Sequence, residues 1–283
     1  MTTAPITVTA VTRYPLKSGR AEPLAEAVVE PWGLAGDRRW MVVDEAGDML
    51  TGRQVPGLVL VAAELVEGGL VLTAAGQPTQ HVLTPPGPDR VPVEVFASRF
   101  LATPAPGAEA WLTAVLGRPA TLLHLGDPRG RAADPTYAGP GDTVSLADGF
   151  PLLLTSEESL AALEAWVAAG PRPEEGPVGM GRFRPNLVVA GAPAWDEDRW
   201  RRLRVGDVTL RAVKGCERCA STLVDPATGR RTREPLGTLA RNRRHDGRAW
   251  FGVNLVPDQP DGLVRVGDAV EVLEAATDPG PQH

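Results

Sequence analysis

The sequence predicts a mainly β, barrel-rich fold with a few α-helices, arranged as two closely packed domains. Three observations carry this expectation. Gly and Pro number 31 and 28 among 283 residues, a density of turn formers that argues against a helical bundle. Short apolar stretches alternate with period two between Gly and Pro clusters, the pattern of strands that close into a barrel. The chain is about twice the usual domain length, and with 43% hydrophobic residues it can fill a full core.

In chain order, Ile6–Thr12 alternates as a half-buried strand. Arg39–Val43 and Met49–Thr51 flank Asp44–Asp48, a hairpin loop with Gly47 able to take positive φ. Leu58–Ala62 and Leu70–Thr73 read as strands around a second turn at Glu67–Gly69. Pro92 has no amide donor and demotes Val91–Val95 to an edge strand or a strand start. Ala108–Leu116 puts Trp111, Leu112, Val115 and Leu116 on one helical face and stops at Gly117. Gly126–Gly149 is expected as a long ordered loop between the halves, and loops of that length are more often functional than idle. Thr155–Glu158 carries a capping-box pattern, followed by Leu160, Leu163 and Val167 at helical spacing until Gly170. Leu187–Ala190, Val208–Val213, Trp250–Leu255 and Val270–Leu273 read as strands of the second half. The expected domains are 5–125 and 126–274, with a flexible tail over 275–283.

Charge narrows the function. Against 29 basic residues stand 35 acidic ones, a net of −6, so no global field draws nucleic acid or an anionic membrane. No apolar run reaches the ~18 residues of a membrane span. Met1–Pro5 lacks the charged and apolar regions of a secretory signal, so the expected location is cytoplasmic. Only two cysteines are present, which excludes a disulfide framework. Lys17 and Lys214 are the sole lysines in an arginine-rich chain, and ammonium and guanidinium are not interchangeable, so each invites a chemical reason.

Cys216–Cys219 is the sharpest local signal, a Cys-x-x-Cys. A zinc site needs four ligands, and no second cysteine pair exists. A thioredoxin-like pair would open a helix in a βαβ unit, whereas this one follows a strand. Two readings stay open: a pair of small buried thiols, or a thiolate favoured by Lys214 and Arg218 and suited to a soft metal. Lys17–Ser18, Asp37–Trp40 and Arg182–Asn186 are short basic clusters, each an ordinary solvated face by default. Asp37 and Trp40 around Arg38, and Phe183 and Pro185 around Arg184, hint at partial burial, where a guanidinium needs an anion such as phosphate.

From Thr7 to Leu273 the chain resembles the MOSC proteins, the group that includes the C-terminal domain of molybdenum-cofactor sulfurases and the mitochondrial amidoxime-reducing component. Tyr14–Ser18, Gly33–Trp40 and Arg53–Gln54 with Pro56 are similar to the MOSC N-terminal β-barrel domain. Asp148–Pro151, Phe183–Asn186, Cys216–Cys219, Val224–Gly229 and Phe251–Gly252 are similar to the MOSC domain, a second β-barrel. The resemblance implies a molybdenum cofactor (molybdenum bound to molybdopterin) with Cys219 as metal ligand and catalytic residue. It implies cofactor contacts from Lys17, Ser18, Arg38, Arg184 and Asn186, from Asp148, Gly149 and Phe150, and from Arg218 within the Cys-x-Arg-Cys string. The implied activity is a molybdenum-dependent oxidoreductase that reduces small N-hydroxylated substrates such as amidoximes. Two cysteines cannot hold an iron–sulfur cluster, so the implied electron donor is a separate ferredoxin or flavin reductase. Two alternatives remain: a sulfur or cofactor carrier using a Cys219 persulfide, and a non-enzymatic pterin-binding module.

Overall fold

The structure, a computed structural model, describes residues 5–88, 90–96 and 98–277. Strands dominate, with three α-helices among the described residues. The largest sheet runs in the order Val270–Ala275, Trp200–Val205, Val208–Glu217, Arg248–Pro257, Leu152–Ser156, Leu187–Ala190, Thr7–Arg13 and Glu22–Leu24. One pair in it is parallel, Leu152–Ser156 beside Leu187–Ala190. A parallel pair needs a crossover, and the Glu157–Ala168 helix supplies it. Leu154, Leu187, Leu203, Leu210, Val253 and Leu255 form the buried core of this sheet.

The two halves exchange strands. Thr7–Arg13 from the first half pairs with Leu187–Ala190, setting Val8 opposite Val189 and Val11 opposite Leu187. In return, Leu263–Arg265 pairs with Glu26–Glu30. Between them Gly33 takes φ +128°, and a Cβ there would lie 2.7 Å from the Pro151 carbonyl oxygen, so only glycine allows this approach.

The rest of the first half holds a four-stranded sheet, Trp40–Val43, Thr121–His124, Ser98–Pro104 and Val91–Val95, and a three-stranded one, Ala62–Val66, Gly69–Thr73 and Gln80–Leu83. Val91–Val95 is the edge strand, as its missing Pro92 donor dictates. Trp40, Leu58, Leu70, Leu72, Leu112 and Leu122 fill the core here. The Glu109–Leu116 helix ends on Gly117 at φ +69°.

Three sequence expectations are corrected. Leu58–Leu60 belongs to a 3₁₀ helix, Pro56–Leu60, with proline preset at its first position, and the strand begins only at Ala62. Ser156, not Thr155, caps the Glu157–Ala168 helix by accepting from the Ser159 amide. The Val208 strand runs on to Glu217 and so takes in Cys216. Of the expected tail, Ala275 ends a strand, while 278–283 lie outside the described residues. No helix among the described residues is long and apolar enough to cross a membrane.

Candidate functional site

A solvent-open cleft lies where the two halves meet. Four turns supply much of its wall, and Thr51–Arg53, Cys216, Arg218 and Ser221 add to it. Tyr14–Gly19 follows the first strand, and the Lys17 amide donates to the Trp40 carbonyl to hold it. Asp37–Arg39 precedes the Trp40–Val43 strand, and the Arg38 amide donates to the Tyr14 carbonyl. Phe183–Asn186 leads into the Leu187–Ala190 strand, and the end of the Gly126–Gly149 loop supplies Asp148 to Phe150. Ser18, Arg38 and Arg184 all hold positive φ, at 64°, 48° and 56°. Such backbone is costly for residues with a Cβ, and it gathers at sites where side chains must be aimed.

Charge in the cleft is strongly positive and partly uncompensated. Lys17 is buried, and its ammonium donates to the Leu146 carbonyl at 2.7 Å and to Asp148 Oδ1 at 2.5 Å. Burial pulls the Lys17 pKa below its usual value, against the opposing pull of Asp148. Burial also works against ionised Asp148, yet Lys17 and Arg38 outweigh it and hold that carboxyl below its ordinary range. Arg38 pairs with fully buried Asp37 and donates to the Arg184 carbonyl at 3.1 Å. Arg184 donates to the Gly19 carbonyl at 2.6 Å, while its Nη2 is buried with no partner. Burial lowers the Arg184 pKa to about 10. Arg218 donates to the Phe183 carbonyl and to Cys216 Sγ, and its Nε also lacks a partner. Buried N–H groups without acceptors are rare, and they fit an anion placed in the cleft.

Every residue that the sequence nominated for cofactor contact lines this cleft: Lys17, Ser18, Arg38, Asp148, Gly149, Phe150, Arg184, Asn186 and Arg218. Asn186 is also a structural bridge. Its Oδ1 accepts from the Leu153 amide and Arg38, and its Nδ2 donates to the Thr12 carbonyl. The cysteines divide differently. Cys216 is in the lining, whereas Cys219 sits beside it, with Sγ 3.1 Å from Ser221 Oγ and 3.8 Å from Arg53 Nη1, both lining residues. The expectation that basic neighbours depress the thiol pKa fails at Cys216, where burial pushes it up despite Arg218. Lys214 turns away to Glu217 and the Tyr137 ring and is not in the lining.

Sequence reasoning missed three residues. The Tyr14 ring is clamped between the Arg38 and Arg184 guanidiniums, 4.5 and 4.1 Å from its centroid, with its hydroxyl donating to the Pro185 carbonyl. Burial raises its pKa to about 12. Arg131, buried in the long loop, donates to the carbonyls of Ser145, Ala147 and Asp148 and so fixes the wall that carries Asp148. Arg53 reaches the cleft from the opposite half, and nothing in its own segment signals Cys219.

Comparison with known proteins agrees with the motifs. Residues 141–271 match the family described as MOSC domain, and residues 5–119 match the MOSC N-terminal beta barrel domain. The chain is 35% identical to mitochondrial amidoxime-reducing component 1 of Homo sapiens, covering 92% of this chain and 81% of that protein. It is 34% identical to mitochondrial amidoxime reducing component 2 of Rattus norvegicus, over 93% and 82%. It is 30% identical to molybdenum cofactor sulfurase of Oryza sativa subsp. japonica, covering 86% of this chain but only 31% of that protein.

Proposed function

We propose that this chain, which belongs to the MOSC-domain family and carries the family's N-terminal β-barrel domain, is a molybdenum-cofactor-dependent oxidoreductase that reduces N-hydroxylated substrates. The observation that carries the reading is the unsatisfied Arg184 Nη2 in a cleft already lined by Lys17, Arg38 and Arg218. That surplus of cation donors suits the phosphate of a pterin cofactor. Lys17, Ser18, Arg38, Arg184 and Arg218 would hold the pterin phosphate, and Cys219 would bind the metal. When bound, the group supplies a two-electron centre able to accept oxygen from nitrogen.

The protein's own contribution is binding, orientation and charge. Arg38 and Arg184 are fixed by the Tyr14 ring and by backbone carbonyls, so they offer donors without reorganisation. Asp148, anchored by Lys17 at the cleft edge, stays ionised and offsets part of the positive charge. Overall, the substrate N–O bond breaks, two electrons and two protons are consumed, and the oxygen leaves as water. The 283 residues hold two cysteines, fewer than an iron–sulfur cluster needs, so the electrons would reach them from a centre outside these residues, in this proposal a ferredoxin or flavin reductase. Cytoplasmic placement is part of the same proposal and stands against the mitochondrial names of two relatives; cell fractionation decides it.

The test is metal content. Protein made in a cofactor-producing host is expected to carry near-stoichiometric molybdenum and pterin and to reduce benzamidoxime with reduced methyl viologen. Cys219→Ala is expected to lose molybdenum and turnover, while Cys216→Ala keeps both. Metal-free wild type, or full metal retention in Cys219→Ala, overturns the assignment. The similarity to a molybdenum cofactor sulfurase favours a second reading, a sulfur or cofactor carrier. It predicts a persulfide on Cys219 by mass spectrometry and no amidoxime turnover.

A further inference from the structure

We propose that the exposed guanidiniums of Arg230, Arg231 and Arg233 form the docking surface for an acidic single-electron carrier protein, a site that rests on the reductase reading above. The chain is net acidic, at −6, yet three arginines fall within four consecutive residues here. All three are exposed, and none forms an ion pair among the described residues. The carboxylates of this segment, and Glu175 beside it, accept hydrogen bonds from other donors. Asp225 accepts from the Ala227 and Thr228 amides and from Arg182. Glu175 accepts from the Arg233 and Glu234 amides, and buried Glu234 holds the Thr238 amide. The three guanidiniums thus face solvent without an ion pair among the described residues, and Glu175 acts on the Arg233 guanidinium only through its field.

Its position ties it to the cleft. Arg231 Nη2 donates to the Arg53 carbonyl, and Arg53 lines the cleft with Nη1 3.8 Å from Cys219 Sγ. The same loop packs on the Pro56–Leu60 helix, since a Cβ on Gly229 would lie 3.4 Å from the Pro56 carbonyl oxygen. Two exposed apolar side chains stand by this loop and Arg53: Leu60, 36% exposed, whose Cδ1 would lie 3.5 Å from a Cβ on Gly229, and Phe96, 48% exposed, whose ring centroid lies 5.5 Å from the Arg53 guanidinium. An apolar centre beside a charged rim is the anatomy of a transient interface, and redox encounters are small, below about 1,200 Å². Opposite charge orients such encounters and raises their rate. Two successive single-electron deliveries at this surface, with two protons from solvent, balance each N–O bond broken and each water released. A nucleic acid is disfavoured because the patch is short and the rest of the chain repels a polyanion.

The test compares two donors on the molybdenum-loaded full chain. With an acidic [2Fe–2S] ferredoxin and its reductase, benzamidoxime turnover is expected to fall as NaCl is raised. The R230E/R233E variant is expected to raise the KM for ferredoxin about tenfold, with viologen-driven turnover unchanged, and R230K/R233K to restore most of the loss. An unchanged ferredoxin KM beside intact viologen turnover overturns the docking surface alone. No viologen-driven turnover by loaded wild type overturns the reductase reading and this proposal with it. On unsubstituted protein, ferredoxin is expected to slow hydrogen exchange across 225–235, and exchange there unaffected by ferredoxin also overturns the surface.

Discussion

At the scale of single residues, the cleft is set by side chains whose positions cost conformational energy. Ser18, Arg38 and Arg184 sit in left-handed backbone, each at a cost of order 1–3 kcal/mol unless the surroundings fix it. Tyr14 is part of that fixing, since its ring lies against both guanidiniums. Arg184→Ala is therefore expected to weaken cofactor retention about tenfold to a hundredfold, the scale of hydrogen bonds to a charged partner. Arg184→Lys keeps a point charge but not the fork, and is expected to fall between. Molybdenum per protein after desalting reads the effect, and an unchanged circular-dichroism spectrum shows that the fold persists. The signs of this site in sequence were local. Lysine stood out in an arginine-rich chain at Lys17, and apolar neighbours marked Arg38 and Arg184 as half-buried. Tyr14 and Arg53 stood only inside strings that resemble the family, because their partners lie far along the chain, 166 residues away for Arg53 and Cys219; Arg131 carried no mark, although the carbonyls it holds lie only 14 to 17 residues on.

At the scale of elements, sequence patterns found eight of the nineteen strands and two of the three α-helices among the described residues, and missed the central Leu152–Ser156 and Trp200–Val205 strands along with the details that aim side chains. The Val208–Glu217 strand shifts register against Arg248–Pro257 between Ala212 and Lys214 and again between Gly215 and Glu217. Irregularities of this kind re-aim side chains next to active sites, and here the second one falls at Cys216. A simple alternation rule cannot foresee them. The helix Glu157–Ala168 carries another hidden feature, for Ser159 donates to Glu197 Oε2 at 2.8 Å while Glu197 Oε1 is buried without a partner. Burial, then the charge of Asp198, raises the Glu197 pKa to about 7. Native protein thus binds this proton more tightly than the unfolded chain does. Its contribution to stability is full below about pH 4.5, declines as pH rises towards about 7, and is level above that, a total of at most about 3 kcal/mol. Glu197→Gln is expected to abolish that decline. Thermal unfolding between about pH 5 and 8 checks it: the variant's Tm should overtake the wild type's as pH rises, and parallel curves would refute the burial argument.

At the scale of the whole molecule, the cleft exists because the halves exchange strands. Sequence patterns assign a strand's buried face but not its partner, so the exchange was not legible, although the mainly β class and the two halves were. Leu187–Ala190 has the Thr7–Arg13 strand on one side, and Val8 and Val11 join Leu187 and Val189 in one core. Residues 126–283 made alone would lose that cover and the Glu22–Leu24 strand beyond it. A row of unpaired backbone groups along an apolar strand is an invitation to edge-to-edge pairing. The isolated segment is expected to elute as aggregate, with poorly dispersed amide resonances, and to bind no molybdenum. Co-expression with residues 1–125 is expected to restore a monodisperse complex that binds the metal. The reason is in the lining, since Lys17, Arg38 and Arg53 come from one piece and Arg184, Arg218 and Cys216 from the other. A monodisperse, well-dispersed 126–283 would show that the shared sheet is dispensable to the second half. Molybdenum retained by that segment alone would show that the cations of the first half are not what grips the cofactor.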